Sequence, residues 1–241
     1  MKIALVCIAK NEDNYIKEWI GYHKKLKFDN IFVFKNNWEF DVQDDKVFLI
    51  PFNGEVKQIS AYNNFIEKFK NDYDWVAFID VDEFIVLKKH KDIKEFIKEY
   101  DTVENGLAIN WVLFGSNGHE VIKDNNYSVL ERFTKKQNGF NQHIKTLLKL
   151  KKDGIMMLDP HRPNVMLRDT NFNQVSNALN PNGTVDVIQI NHYFCKTKQE
   201  FQEKINRGRA DTLKKRNISD WDAHNSSDID DFLALDFFKS N

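Results

Sequence analysis

The chain has 241 residues, enough for one domain with a large core or one domain with a small appendage. Thirty-five Lys and Arg against 36 Asp and Glu give a net charge of -1, which excludes a protein built for bulk nucleic-acid binding. Two cysteines, Cys7 and Cys195, are too few for a disulfide framework and read as buried free thiols.

The first element is the apolar run Ile3 to Ala9, too short to span a bilayer and followed by Lys10-Asn11-Glu12 rather than a cleavage site. It predicts a strand covered on both faces. Asn11 or Asp13 is placed to cap the helix that follows, whose Tyr15, Trp19, Tyr22 and Leu26 recur at amphipathic spacing. Ile31 to Phe34 and Val47 to Ile50 predict two short strands. Ile59, Tyr62, Asn63, Ile66 and Phe69 mark a second helix, and Trp75 to Ile79 a fourth strand. The order strand, helix, strand, strand, helix, strand predicts an α/β sheet with its ligands at the carboxyl ends of the strands.

Further on, Phe84 to Leu87 is short and apolar, and Ile93, Phe96 and Ile97 suggest a helix. Leu107 to Phe114 and Ile144 to Leu150 read as strands, and Val185 to Phe194 ends in Asn-His-Tyr-Phe. A charged helix is predicted from Lys198 to Lys215, with Phe201 and Ile205 inward. No repeat, linker or low-complexity stretch divides the chain. Residues 1–215 are expected to form one domain, and 216–241 an acidic amphipathic tail packed on it.

Asp80-Val81-Asp82 carries the chemistry. Two carboxylates one residue apart can grip a divalent cation and, through it, a diphosphate, because Mg²⁺ and Mn²⁺ favour hard oxygen ligands. The spacing alone is weak, since Asp72/Asp74, Asp220/Asp222 and Asp228/Asp230 share it and read as solvated loops or tail. Asp80 and Asp82 differ in following a buried strand, where α/β sites sit. Glu83 adds a third acid, and such crowding calls for a cation or a basic partner. His192, after a late strand, reads equally as a metal ligand or a packed imidazole. Glu120 is the candidate base for an acceptor hydroxyl, with Asp159 as the other choice. Lys145, Lys204 and Arg207 are candidate phosphate contacts, with Arg209 read as a helix-face charge. Trp38, Trp111 and Tyr193 are candidate sugar platforms that double as core aromatics.

These pieces together resemble the bacterial GT-A-fold glycosyltransferases related to families 2 and 92. The matching segments are Ala9-Lys10-Asn11-Glu12, Glu18-Trp19-Ile20 with His23, Trp75 to Ile85, Phe114 to His119, Ile144-Lys145, Asn191 to Phe194, and Glu200-Phe201 with Lys204 and Arg207-Gly208. They run from about residue 3 to about residue 211 in the family's order. The resemblance implies a Rossmann-like fold with a mixed central sheet flanked by helices, and a nucleotide-sugar donor, usually a UDP-sugar. It also implies Mn²⁺ or Mg²⁺, held by Asp82 directly, with Asp80 on the ribose or the ion's water shell and His192 as the late third ligand. Ala9, Asn11 and Glu12 would form the lip on the nucleobase side, and Val81 would line the donor. One departure stands out: Lys35-Asn36-Asn37-Trp38 replaces a pattern like Asp-Asn-Asn-Ser, which leaves the donor base open.

The expected activity is inverting transfer of a hexose or N-acetylhexosamine to a glycan or lipid-linked glycan acceptor. The expected setting is surface polysaccharide or lipooligosaccharide synthesis, in the cytoplasm with at most peripheral contact at the inner membrane face. A metal-dependent nucleotidyltransferase and a non-catalytic nucleotide or glycan binder are the competing readings. The first would normally carry a Gly-rich or Lys-containing phosphate loop after its first strand, and none is evident. The oligomeric state is not legible.

Overall fold

A computed structural model describes residues 1–240. The first half contains β1 (Ile3–Ala9), α1 (Ile16–Lys25), β2 (Asn30–Lys35), β3 (Val47–Pro51), α2 (Gln58–Phe69) and β4 (Trp75–Phe78). These strands pair in parallel in the order β3-β2-β1-β4. Every residue of β1 is buried, as a strand sandwiched between helices requires. Its side chains alternate between two cores. Ile3, Leu5 and Cys7 meet Trp19 and Tyr22 of α1, whereas Ala4 and Val6 share the opposite core with Tyr62 and Phe65 of α2.

Beyond β4 come β5 (Glu83–Leu87), α3 (Ile93–Glu99), β6 (Gly106–Leu113), α4 (Val129–Arg132), β7 (Lys135–Lys136), β8 (Asn141–Lys149), β9 (Leu167–Arg168), β10 (Gln174–Val175) and β11 (Ile188–His192). β8 lies antiparallel between β4 and β6, which makes the sheet mixed. β11 runs parallel to β6 and antiparallel to β5, so its carboxyl end comes back beside the turn after β4. The expected class, α/β with a mixed central sheet flanked by helices, is the architecture found.

The chain closes with α5 (Lys198–Arg207), α6 (Ile218–His224), β12 (Ile229–Asp230) and α7 (Leu233–Lys239). β12 pairs with β7, and Phe237 of α7 packs edge-on against Tyr22 at 5.2 Å. Among the described residues, no helix is long and apolar enough to cross a membrane.

Two local expectations need correction. The helix foreseen to Lys215 stops at Arg207, because Gly208 takes φ +85°, a left-handed conformation that ends the helix. Asn11 and Asp13 do not cap α1: Tyr15 occupies the cap position without a side-chain bond, Asn11 itself has φ +53°, and Asp13 accepts from Trp38 Nε1 at 3.0 Å. Within the stretch after residue 215, Arg216, Asp220 and His224 face the cavity described next.

Candidate active site

A cavity of about 550 Å³ opens where β1, β4, β6 and β11 end at their carboxyl termini. Asp80, Val81 and Asp82 form its floor, His192 and Trp111 one wall, and Lys204, Arg207 and the stretch from Gly208 to Arg216 another. Ala9 and Glu12 line the mouth after β1, and Asn36 after β2. Both free cysteines are buried and away from this space, as the composition suggested.

The basic partners that three adjacent acids call for come from β8 and α5. Lys145, fully buried on β8, donates to Asp80 Oδ2 at 2.9 Å and stands 3.4 Å from Glu83 Oε2. Burial opposes its charge, but Asp80 and Glu83 outweigh that and raise its pKa. Asp80 Oδ1 accepts from Gln58 Nε2 at 2.6 Å and Tyr62 OH at 3.3 Å. The turn itself is clasped: Asp80 N–H donates to Glu83 Oε2 at 2.9 Å, and Glu83 N–H to Asp80 O at 3.0 Å.

Asp82 is served from the other side. Its Oδ2 accepts from Lys204 Nζ at 2.6 Å and lies 3.7 Å from His192 Nε2. Burial disfavours its charge, but the Lys204 ammonium overcomes this and holds the carboxyl well below the usual range. Tyr193 N–H donates to Asp82 O at 2.9 Å, which pins the end of β11 against the turn. Burial lowers the pKa of His192, so its imidazole is neutral, the form that binds metal.

The fit of a divalent ion follows from these donors. Asp82 Oδ2 and His192 Nε2 converge on one space, and their chemistry, a carboxylate and a neutral imidazole, suits Mn²⁺ or Mg²⁺. His192 Nδ1 is buried without a partner among the described residues, and Glu83 Oε1, equally unpartnered, lies 4.0 Å away. A carboxylate behind the far nitrogen is the support a metal-bound histidine uses. Asp80, by contrast, is committed to Lys145 and Gln58. Among the described residues no group of three or more His, Cys, Asp or Glu is gathered closely enough to hold an ion. Asp82 and His192 would be the two protein ligands of such an ion, and donor oxygens would have to supply the others.

Other expected residues divide. Arg207 pairs with Glu12 and donates to Lys10 O at 2.9 Å, binding α5 to the loop after β1. Asn11 lines a smaller neighbouring cavity of about 210 Å³. Lys35, at the departure from the family pattern, turns away to Glu39 and Phe40 O. Glu120 is exposed and lies outside the cavity, with its backbone O taken by Gln199 N–H at 3.1 Å. Asp159 is tied to Arg162 at 3.1 Å. Trp38 and Tyr193 are core residues, leaving Trp111 as the aromatic of the three in the wall.

Two features escaped the sequence. His192, His143 and His161 surround Trp111 with ring centroids at 4.2, 5.0 and 5.1 Å. His143 precedes Lys145 by two in β8, so strand alternation would have placed it on the cavity side. Burial and the nearby Lys145 hold His161 down to about 4, although its Nδ1 bonds Ile144 O at 2.9 Å. Arg216 is the second. Lys145, Lys204, Arg207 and Arg209 are each committed to a carboxylate. Arg216 gives Nη1 to Gly208 O at 3.3 Å, while its Nε is buried without a partner among the described residues. No sequence signal marks it.

These features outline an acidic cavity lined by cations at the carboxyl ends of the sheet, and comparison with known proteins gives the family. The model for "Glycosyltransferase family 92" matches residues 55–229. The chain belongs to glycosyltransferase family 92. A family 92 protein of Ricinus communis is 23% identical over 129 residues, 48% of this chain and 23% of that one. One of Arabidopsis thaliana is 28% identical over 90 residues, 34% of this chain and 16% of that one. The chain thus spans less than a quarter of either plant protein. Among solved structures, S. aureus TarS is 16% identical with a TM-score of 0.33, over 51% of this chain and 23% of TarS. TarS 1-349 is 16% identical with a TM-score of 0.36, over 62% of this chain and 47% of that one.

Proposed function

We propose that the protein transfers a sugar from a nucleoside diphosphate donor to a glycan hydroxyl, as part of surface glycan assembly. The observation that carries this reading is the convergence of Asp82 and His192 at the strand ends, ringed by Lys145, Lys204, Arg207 and Arg216. That arrangement suits a divalent ion with a diphosphate beside it, and family membership supports glycosyl transfer over other diphosphate chemistry.

Asp82 and His192 would hold the ion, which when bound supplies a Lewis acid for the charge developing on the departing diphosphate. Asp80, fixed by Lys145, Gln58 and Tyr62, is rigid enough to orient the donor's ribose. Arg216, bonded to Gly208 O but with its Nε unpartnered among the described residues, supplies a guanidinium for phosphate oxygens. In the reaction the bond from the sugar's anomeric carbon to the diphosphate oxygen breaks and one to the acceptor oxygen forms. Inverting transfer requires the acceptor proton to pass to a base facing the cavity, a position Glu120 does not hold in this structure. Trp111 lines the cavity, and the part of its ring that His143, His161 and His192 leave open can pack against a sugar.

The test is donor hydrolysis with Mn²⁺, measured as free sugar released from a panel of nucleotide sugars, UDP-sugars first. One donor or a few should be hydrolysed slowly, and Asp82→Ala should lose about 100-fold or more while its melting profile is kept. Undiminished hydrolysis in Asp82→Ala would sink the assignment.

A further inference from the structure

Lys204 projects from α5 onto Asp82 Oδ2 at 2.6 Å, the same oxygen that faces His192 Nε2 at 3.7 Å. Its other anchors are Phe194 O at 3.0 Å and the Phe194 ring, whose centroid lies 4.3 Å from Nζ. The carboxylate oxygen suited to a divalent ion is thus covered by a cation from the chain itself. Lys204 and Asp82 are both largely shielded from solvent, with side chains 13% and 14% exposed. An ion on that oxygen and an ammonium on the same oxygen repel, and little water is at hand to screen them. The repulsion is relieved when more negative charge enters. A nucleoside diphosphate brings that charge, and Lys204, already in the cavity wall, can turn to meet it on its flexible four-carbon stem.

We propose that Lys204 is an exchange residue, bound to Asp82 while the donor is absent and transferred to the diphosphate oxygens when ion and donor enter together. The proposal rests on the metal and donor reading given above. It makes loading cooperative: the ion alone must displace Lys204 with nowhere for its charge to go, whereas the ion with a diphosphate gives it a new partner. By linkage, each ligand raises the affinity of the other by the same factor. The exchange also limits the time Asp82 holds an ion without a donor beside it.

The experiment follows Mn²⁺ uptake through loss of the free-ion electron paramagnetic resonance signal, with and without UDP. It uses the native protein and the variants Lys204→Met and Lys204→Gln, the second keeping a hydrogen-bond donor without the charge. Native protein should bind Mn²⁺ weakly alone and about tenfold or more tightly with saturating UDP. Both variants should bind Mn²⁺ alone about tenfold more tightly than native, and the further gain from UDP, left to its oxygens as ligands, should be smaller than in the native protein. Unchanged or weaker uptake of Mn²⁺ alone, in variants that melt like the native protein, overturns the exchange while leaving the metal site standing. If Lys204→Met does not fold, Lys204→Gln decides. Native protein that takes up no Mn²⁺ even with UDP overturns the site reading itself, and the exchange with it.

Discussion

Glu83 Oε1 and His192 Nδ1 lie 4.0 Å apart, both buried and neither with a hydrogen-bond partner among the described residues. They join the two halves of the site, since Glu83 follows the Asp80-Val81-Asp82 turn and His192 ends β11 more than one hundred residues later. A short approach lets the His192 Nδ1–H donate to Glu83 and turns the Nε2 lone pair toward Asp82. Glu83→Gln should therefore weaken Mn²⁺ binding in the presence of UDP by about 10- to 100-fold. Calorimetric titration of Mn²⁺ into the UDP-saturated protein reads this directly, and native affinity in the variant would separate Glu83 from the metal site.

Arg216 tests the diphosphate contact without touching the metal donors. Arg216→Ala should weaken UDP binding by roughly tenfold, the order expected for loss of one charge-assisted contact. Its melting temperature should stay near native, because Gly208 O is its hydrogen-bonded partner among the described residues. Equal UDP affinity in the variant and native proteins would remove Arg216 from the donor site.

The wall formed by α5 is held by a buried ion pair that gives stability a defined pH dependence. Glu200 receives both Arg132 terminal nitrogens at 2.8 Å and Tyr15 OH at 2.7 Å. Burial opposes its charge, but Arg132, Lys196 and Thr197 outweigh it and bring its pKa down to about 2. A carboxyl depressed on folding contributes its full stability above its unfolded pKa and loses it as pH falls through the folded value. Melting temperature should drop between about pH 4.5 and about pH 2, by up to roughly 3 kcal/mol of stability from this group. Arg132→Met, which strands Glu200, should cost about 3–5 kcal/mol at neutral pH and flatten that acid limb. Urea melts across the pH range check both.

The closing helix is testable by truncation of two rings. Phe237 and Phe238 sit 5.2 and 6.1 Å from Tyr22 between ring centroids, over the helix that faces β1. Phe237→Ala with Phe238→Ala should lower stability by about 2–4 kcal/mol, less than for fully buried rings because both are only half-buried. Mn²⁺ and UDP affinities should hold at temperatures where the variant is folded. A change below about 0.5 kcal/mol in urea melts would show that the tail does not brace the domain.

What the sequence determined by itself was the framework of the site. An apolar run such as Ile3 to Ala9 allows little but a strand covered on both faces, and the repeat of strands and helices after it implies the parallel block. Asp80 and Asp82 were distinguishable from the other Asp-x-Asp pairs because Trp75 to Ile79 precedes them, and burial of that run is a local property. His192 was within reach for the same reason, as the polar end of an apolar strand. Only the tertiary structure decided which charges meet. Lys145 is 65 residues from Asp80, and Lys204 is 122 residues from Asp82. Ion pairs at such separations follow from how β8 and α5 dock, which no local pattern encodes. Glu120 shows the converse: it stands one residue after a family-like loop, yet that loop folds outside the cavity. The end of α5 is not marked by the run of helix-forming charges that continues past it to Lys215. The left-handed turn at Gly208 instead sends the next residues over the cavity, and with them Arg216.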